Sequence, residues 1–122
     1  MNTQITLASK SQTRSRLLTN AKIKFKTVDH GVDEDEIKLS MSESSPEEIV
    51  TKLAETKALK ASISNDGLVI GSDQGLDLDG KLINKAKNFD EAHEQLKSMS
   101  GKEHTLITVS YTHLTLPTTP YV

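Results

Sequence analysis

The sequence predicts an α/β protein with a mixed central sheet flanked by helices. Short stretches of apolar residues, either continuous or alternating with polar ones, are typical of strands. Longer stretches between them have helical spacing and begin with serine or asparagine caps. A length of 122 residues suits one domain, and helices placed between strands can cover the faces of one sheet.

The first predicted elements are a strand, a polar turn, a helix and a second strand. Apolar and polar residues alternate at residues 4–8, which predicts a short strand. Residues 12–20 favour a helix that either Ser9 or Ser11 can cap. Lysines alternate with other residues at 22–28, so we expect a strand with one solvated face.

A polar, acidic segment leads to the longest predicted helix. Residues 29–44 are expected to form a turn and then a short helix or loop. Ser45 can cap the next helix, Pro46 suits its first position and Glu48 completes a capping box. This helix is predicted to reach Ser62. Its candidate core residues are Ile49, Leu53, Ala54, Leu59 and Ala61.

The second half of the chain begins with a buried strand and a hairpin. The apolar run at residues 68–70 predicts a strand that ends in the polar sequence at residues 71–74. Residues 76–78 and 81–83 are expected to pair around Asp79-Gly80, because this dipeptide tolerates the positive φ angles of a type I′ turn.

A capped helix and one more strand complete the predicted fold. Asn88 and Glu91 begin the helix, and Ser100-Gly101 ends it. Residues 104–109 alternate again and are predicted to be the last strand.

Residues 110–122 differ in composition from the rest of the chain. They contain both tyrosines and two of the three prolines, and no Asp, Glu, Lys or Arg. We expect them to be a non-native or disordered tail, with residues 1–109 carrying the fold. The alternative is a Thr/Pro-rich C-terminal extension of the native protein.

Composition argues against several functional classes. Fifteen basic and seventeen acidic residues nearly cancel, and no block resembles the basic surface of a nucleic-acid-binding protein, so we expect no polynucleotide partner. No apolar run could cross a bilayer and residues 1–10 lack a secretory signal, so we expect a cytoplasmic protein without a membrane partner. The absence of cysteine excludes disulfides, thiolate zinc sites and cysteine nucleophiles.

The serine turn before the first helix is a candidate phosphate site. Backbone N–H groups at a helix N-terminus favour an anion, and Ser9, Ser11 and Arg14 could surround it. In the alternative, the serines only cap the helix and Arg14 is solvated.

Two carboxylates are candidate metal ligands. Asp73 directly follows a strand that is predicted to be buried, which is an unusual place for a carboxylate. With Glu34 it could hold Mg²⁺ or Mn²⁺, which prefer oxygen ligands and bridge phosphate oxygens. In the alternative, Asp73 only caps a turn. Lys57 and Lys85 could neutralise a polyphosphate, although most lysines are simply solvated.

Six ordered motifs resemble the Maf family, and the resemblance runs from about Ile5 to Thr108. They are Leu7-Ala8-Ser9-Lys10-Ser11-Gln12-Thr13-Arg14 with Leu17-Leu18, Val32-Asp33-Glu34, Leu53-Ala54-Glu55-Thr56-Lys57-Ala58, Val69-Ile70-Gly71-Ser72-Asp73-Gln74, Asp79-Gly80-Lys81 with Lys85, and Ser100-Gly101-Lys102-Glu103-His104 with Thr108. Six motifs in order are more specific than any one of them. The resemblance implies a Maf/inosine triphosphate pyrophosphatase-like fold.

The resemblance also implies a nucleotide-hydrolysing enzyme. Members of the family hydrolyse nucleoside triphosphates to the monophosphate and pyrophosphate with a divalent cation. By resemblance, Asp73 accepts a proton from the attacking water and binds the metal together with Glu34. The residues that the resemblance assigns to the triphosphate are Ser9, Arg14, Lys57 and Lys85.

The sequence departs from the family pattern around two site residues, Arg14 and Lys85. The usual Ser-Pro-Arg-Arg is Ser11-Gln12-Thr13-Arg14 here, and the usual Gly-Lys-Pro is Asn84-Lys85-Ala86. We therefore expect phosphate binding that is weaker or differently arranged. Gln74 stands where members acting on 7-methylguanosine triphosphate usually have Gln and members acting on uridine and thymidine triphosphates usually have Thr. This favours a modified nucleotide.

Family members continue well beyond the last motif, so we expect a C-terminally truncated chain with an unpaired sheet edge. The alternative to an active enzyme is a non-catalytic nucleotide- or metal-binding remnant, which would not orient the water in line with the phosphorus. A third interpretation is a small α/β protein that shares only descent with the family. Because family members often pair, a homodimer is expected of the full-length protein.

Overall fold

The computed structural model describes residues 4–115. Its elements are β1 (Ile5–Ala8), α1 (Gln12–Asn20), β2 (Lys26–Val28), α2 (Glu34–Ser40), α3 (Pro46–Ser62), β3 (Gly67–Leu78), β4 (Lys81–Ile83), α4 (Phe89–Met99) and β5 (His104–Thr115). The predicted α/β class, with a mixed sheet flanked by helices, is confirmed. In the described part of the chain, no helix is long and apolar enough to cross a membrane.

β3 is the central strand of the sheet. β1 pairs in parallel with β2 and with β3, whereas β4 and β5 run antiparallel to β3. β5 lies along one whole edge of β3, and β1 and β4 share the other edge. On that shared edge β1 pairs with Leu68–Ile70 and β4 with Leu76–Leu78. Residues 71–75 of β3, called the gap below, therefore have no partner there among the described strands.

α3 begins as predicted and covers one face of the sheet. The Ser45 hydroxyl accepts from the Glu48 backbone N–H, and the Glu48 carboxylate accepts from the Ser45 N–H, which forms the capping box. Of the five predicted core residues, four are buried and Leu59 is 37% exposed. Four further helix residues that the core prediction omitted are buried: Pro46, Val50, Lys57 and Ala58.

The contact between α3 and β3 depends on a glycine in the gap. A Cβ atom at Gly71 would lie 2.6 Å from the backbone nitrogen of Ala58 and even closer to the carbonyl oxygen of Ala54. Only glycine permits this approach of helix and strand. It brings the buried side of α3 directly onto the gap.

The end of α1 explains why β2 is shorter than predicted. The strand begins at Lys26 and not at residue 22. Lys22 has a φ of 60° and donates its N–H to the Thr19 carbonyl, while the Ile23 N–H donates to the Leu18 carbonyl. This pair of hydrogen bonds is a Schellman motif, so these residues complete the helix instead of the strand.

The polar sequence at residues 71–74 does not end a strand, contrary to the prediction. β3 continues through it to Leu78, because β5 pairs with β3 along its whole length. The hairpin that follows is confirmed. Asp79 and Gly80 have φ angles of 52° and 81°, both positive as a type I′ turn requires.

β5 is also longer than predicted. The strand end predicted at residue 109 was wrong, because β5 continues to Thr115 and pairs with the first half of β3. Threonine and tyrosine, which favour strands, make this continuation favourable. The prediction that residues 110–122 are a non-native or disordered tail stays a prediction, and residues 116–122 lie outside the described part of the chain.

Candidate active site

A cavity of about 780 Å³ opens at the gap in β3. All seven residues that the sequence analysis selected line it: Ser9, Arg14, Glu34, Lys57, Asp73, Gln74 and Lys85. They come from the turn after β1, from α1, α2 and α3, from the gap itself and from the segment after β4. The carboxyl end of a strand, at a point where neighbouring strands diverge, is a common place for ligand sites in α/β sheets.

The ammonium group of Lys57 joins the two candidate metal-binding carboxylates. Its Nζ lies 2.6 Å from Glu34 Oε1 and 3.1 Å from Asp73 Oδ1, and it also donates to the Ser72 carbonyl at 3.5 Å. The residue is only 4% exposed, although it carries a charge. Two carboxylates and a carbonyl satisfy its three N–H donors, which is the condition for burying an ammonium group.

The serine turn is arranged around the hydroxyl of Ser9. Its Oγ accepts from the Ser11 backbone N–H at 3.1 Å and from Arg14 Nη1 at 3.1 Å. Of the two serines that the sequence offered as caps, Ser11 caps α1, since its Oγ accepts from the Arg14 N–H at 3.3 Å. With both lone pairs of the Ser9 oxygen used, its remaining hydrogen-bonding capacity is the O–H donor.

Glu34 is held at the N-terminus of α2, directly after the N-cap Asp33. Burial raises the pKa of Glu34, but the hydrogen bond and the positive charge of Lys57 outweigh burial, and the net pKa lies below its usual value. The preceding loop is also bound to α3, where Lys60 Nζ donates to the Gly31 carbonyl. Two lysines one helical turn apart, Lys57 and Lys60, thus hold this loop and its carboxylate against α3.

The segment after β4 is tied to two helices. Lys38 Nζ donates to Asn84 Oδ1 at 3.2 Å, and Gln95 Nε2 donates to the Asn84 carbonyl at 2.6 Å. These contacts bring Lys85, an exposed residue, to the cavity. Gln74 is exposed as well, on the gap. Asn84 occupies the position at which the family pattern has glycine, and a glycine could not accept the side-chain hydrogen bond from Lys38.

Two ionisable residues that line the cavity were not selected from the sequence, Lys10 and His30. Lys10 forms an ion pair with Asp29 at 3.1 Å. His30 accepts the Val32 backbone N–H at Nδ1, at 2.9 Å. Burial and the positive charge of Lys57 lower the pKa of His30, against smaller opposing effects of neighbouring acids. A single histidine in an acidic loop gives no sequence signal for this position.

The donor set fits a divalent cation that is shared with a substrate. Within residues 4–115, no three His, Asp or Glu side chains form a group that could hold a metal ion by themselves. Mg²⁺ commonly binds through one or two carboxylates and completes its coordination with water and substrate phosphates. Glu34 and Asp73, brought together on one ammonium, supply two such carboxylates.

Comparison with known proteins gives a family and named relatives. Residues 4–118 match the family model described as "Maf-like protein". The chain is 46% identical over 106 residues to the nucleoside triphosphate pyrophosphatase of Caulobacter vibrioides, covering 85% of this chain and 53% of the relative. It is 41% identical over 109 residues to the 7-methyl-GTP pyrophosphatase of Brucella abortus, covering 87% and 55%.

A third relative is named for different nucleotides. The dTTP/UTP pyrophosphatase of Thermosipho africanus is 39% identical over 105 residues, which cover 86% of this chain and 51% of the relative. The chain spans about half the length of the curated relatives that it matches. It belongs to the Maf-like protein family.

Proposed function

We propose that this member of the Maf-like family is a nucleoside triphosphate pyrophosphatase that releases the monophosphate and pyrophosphate. The observation that carries the proposal is that one cavity contains both negatively and positively charged side chains. The reaction needs carboxylates for a metal ion and a base, and cationic groups for the triphosphate. Two carboxylates, Glu34 and Asp73, share the cavity with the cationic groups of Arg14, Lys57 and Lys85. The names of the three relatives describe this reaction class, which supports the proposal.

The cationic and hydroxyl groups would bind the triphosphate. Ser9 has an O–H donor that is not used, Arg14 presents a guanidinium beside it, and Lys85 lines the same cavity from the segment after β4. Lys57 would reach a phosphate oxygen by exchanging the Ser72 carbonyl, which is the longest of its three contacts. Donors fixed before the substrate arrives stabilise the charge on the departing pyrophosphate without further reorganisation.

Asp73 would act as the general base. The water oxygen would form a bond to the attacked phosphorus while the bond from that phosphorus to the oxygen of the departing pyrophosphate breaks. A proton of the water would pass to the Asp73 carboxylate. Lys57 holds this carboxylate through Oδ1, and a carboxylate has a second oxygen for the water. Mg²⁺ or Mn²⁺ bound by Glu34 and Asp73 would supply charge neutralisation of the phosphate oxygens.

Gln74 would contact the nucleobase. It is exposed on the gap beside Asp73 and lines the same cavity. We propose a 7-methylguanine-type base over uracil or thymine, since the family resemblance associates glutamine with the former. A nucleotide substrate is also the basis for proposing a cytoplasmic location, and a homodimer stays a prediction for the full-length protein.

A second candidate function is binding without hydrolysis. Its basis is that the chain matches only about half the length of its relatives. Phosphate and cation binding need only the residues of the cavity. In-line attack needs a substrate held in one orientation, which takes contacts on more than one side.

Pyrophosphate release tests the proposal. The 122-residue chain is incubated with a panel of nucleoside triphosphates and Mn²⁺, together with Asp73→Asn and the control Asp66→Asn, an exposed loop aspartate. We expect Asp73→Asn to lower kcat by about 10²–10⁴-fold, the usual contribution of a general base, while Asp66→Asn leaves it unchanged. Equal activity of wild type and Asp73→Asn would refute the assigned role. Saturable nucleotide binding with no pyrophosphate release would favour the second candidate.

A further inference from the structure

We propose that His30 is a further phosphate-binding residue of this site, donating its Nε2–H to a non-bridging phosphate oxygen of the substrate. The inference rests on the proposed function for the identity of the ligand. Its structural basis is independent of the sequence motifs, because His30 belongs to none of them. His30 lines the cavity together with Ser9, Lys57 and Asp73.

A backbone contact fixes which nitrogen of the ring carries the proton. The Val32 N–H donates to Nδ1 at 2.9 Å, so Nδ1 must present its lone pair. In a neutral imidazole the proton then resides on Nε2, which becomes a donor. Among the hydrogen bonds of residues 4–115, none uses Nε2. This donor is available to a ligand in the cavity.

The neutral ring is the form that this environment favours. Burial and the nearby Lys57 ammonium both lower the pKa of His30. A doubly protonated ring would turn Nδ1 into a donor facing the Val32 N–H, which would break the loop contact. A neutral imidazole gives the triphosphate a directional hydrogen bond beside cations that already supply positive charge.

The loop that carries His30 is held on both sides, which fixes the ring relative to the cavity. Asp29 Oδ1 accepts from the Gly31 N–H at 3.0 Å, and Lys10 pairs with the other oxygen of Asp29 at 3.1 Å. On the opposite side, Lys60 of α3 donates to the Gly31 carbonyl. Preorganised donors cost less ordering entropy when the ligand binds.

Two substitutions separate the loop role of His30 from its ligand role. In His30→Asn, the side-chain oxygen can take the place of Nδ1 and accept from Val32, but no group reaches the position of Nε2. In His30→Gln, the amide nitrogen can reach the position of Nε2, but the acceptor for Val32 is lost. His93→Asn, at an exposed position on α4, is the control.

Binding of inorganic tripolyphosphate with Mg²⁺ is measured by calorimetry for the four proteins, and thermal unfolding verifies that each is folded. We expect His30→Asn to bind about 10-fold more weakly than wild type, as loss of a hydrogen bond to a charged group implies. His30→Gln is expected to remain within about 3-fold of wild type, and His93→Asn to be unchanged. The imidazole ¹⁵N spectrum of the wild type is expected to place the proton on Nε2.

Several results would overturn this inference: a proton on Nδ1, wild-type affinity in His30→Asn, or no tripolyphosphate binding by the wild type. The proposed function has a separate outcome. Pyrophosphate release that depends on Asp73, with normal binding by His30→Asn, would leave the function standing and remove His30 from it. Tripolyphosphate binding that depends on His30, without pyrophosphate release, would support the role of His30 and reject the proposed hydrolysis.

Discussion

Along the edge that β3 shares with β5, every residue from Gly67 to Leu78 is paired. Along the opposite edge, β1 and β4 pair only with the two ends of β3 and leave residues 71–75 open. Pairing along the continuous edge keeps β3 extended through Gly71 and Asp73. The interrupted edge exposes the same residues to a cavity. One strand therefore serves as support on one edge and as a binding surface on the other.

The largest loss of stability is expected when Lys57, which joins α3 to the gap, is replaced. Lys57→Met removes the ammonium and leaves the Glu34 and Asp73 carboxylates facing each other beside a buried apolar chain. Removing one partner of a buried ion pair is costly, so we expect the free energy of unfolding to fall by about 3 kcal/mol, measured by urea denaturation.

The control for Lys57→Met is Lys52→Met, an exposed lysine on the same helix. Its replacement is expected to change the free energy of unfolding by less than about 0.5 kcal/mol. Equal effects of the two substitutions would mean that the buried ion pairs do not hold the interrupted edge together.

An intermediate effect is expected at the glycine that α3 contacts. In Gly71→Ala the new methyl group meets backbone atoms of Ala54 and Ala58, which cannot move without shifting the helix. We expect a loss of about 2–3 kcal/mol in the free energy of unfolding. Gly75→Ala is the matched variant, since its methyl group meets only the side chains of Val50 and Leu82, at 2.6 and 2.7 Å.

Gly75→Ala is expected to cost about 1 kcal/mol, because side chains can rotate away. A larger loss for Gly75→Ala than for Gly71→Ala would show that the approach of α3 to the gap does not limit the fold. Thermal unfolding of both variants, compared at equal pH, makes this comparison.

The sequence predicted the helices better than the strands, for a physical reason. Helix starts are encoded locally, so Ser45 and Asn88 could be identified as caps from their own neighbours, and the cap of α1 could be narrowed to Ser9 or Ser11. The continuity of β3 through Gly71 could not be predicted in this way, because a glycine followed by polar residues is typical of a turn. What keeps that segment extended is a strand more than thirty residues later in the chain.

The members of the candidate site were predicted from their residue types and from the order of the family-like motifs. The geometry of the site was not predicted. The seven residues line one cavity, and their assignment as site residues stays a prediction. That Lys57 bridges Glu34 and Asp73, and that Lys60 and Asn84 hold the surrounding loops, depends on how α3 packs on β3. Such long-range contacts have no local signature.

The smallest effect concerns pH. Lys57 keeps the pKa of Glu34 below its usual value, so the stabilisation from this carboxylate is fully present above about pH 4.3, the ordinary glutamate value. It is lost as the pH falls through the lower pKa of the folded state. Glu34→Gln lacks this contribution, so the stability difference from wild type is expected to be larger at pH 7 than below pH 4.

Urea denaturation at both pH values measures this difference, with Glu94→Gln, at an exposed position on α4, as the control. A difference between wild type and Glu34→Gln that is the same at pH 7 and in acid would contradict the ion pair with Lys57. The effect is small because Glu34 is 39% exposed, and solvent screens the pair.

The most direct test of the central claim is to map where a triphosphate binds. In ¹H–¹⁵N spectra recorded during titration with a nucleoside triphosphate and Mg²⁺, the largest shifts are expected at the amides of Ser9, Ser11 and residues 71–75. Amides of residues 113 and 114, which pair with Val69 and Leu68 near the N-terminal end of β3, are expected to stay in place. Shifts confined to β5, or none at the gap, would contradict the assignment of the interrupted edge as the functional one.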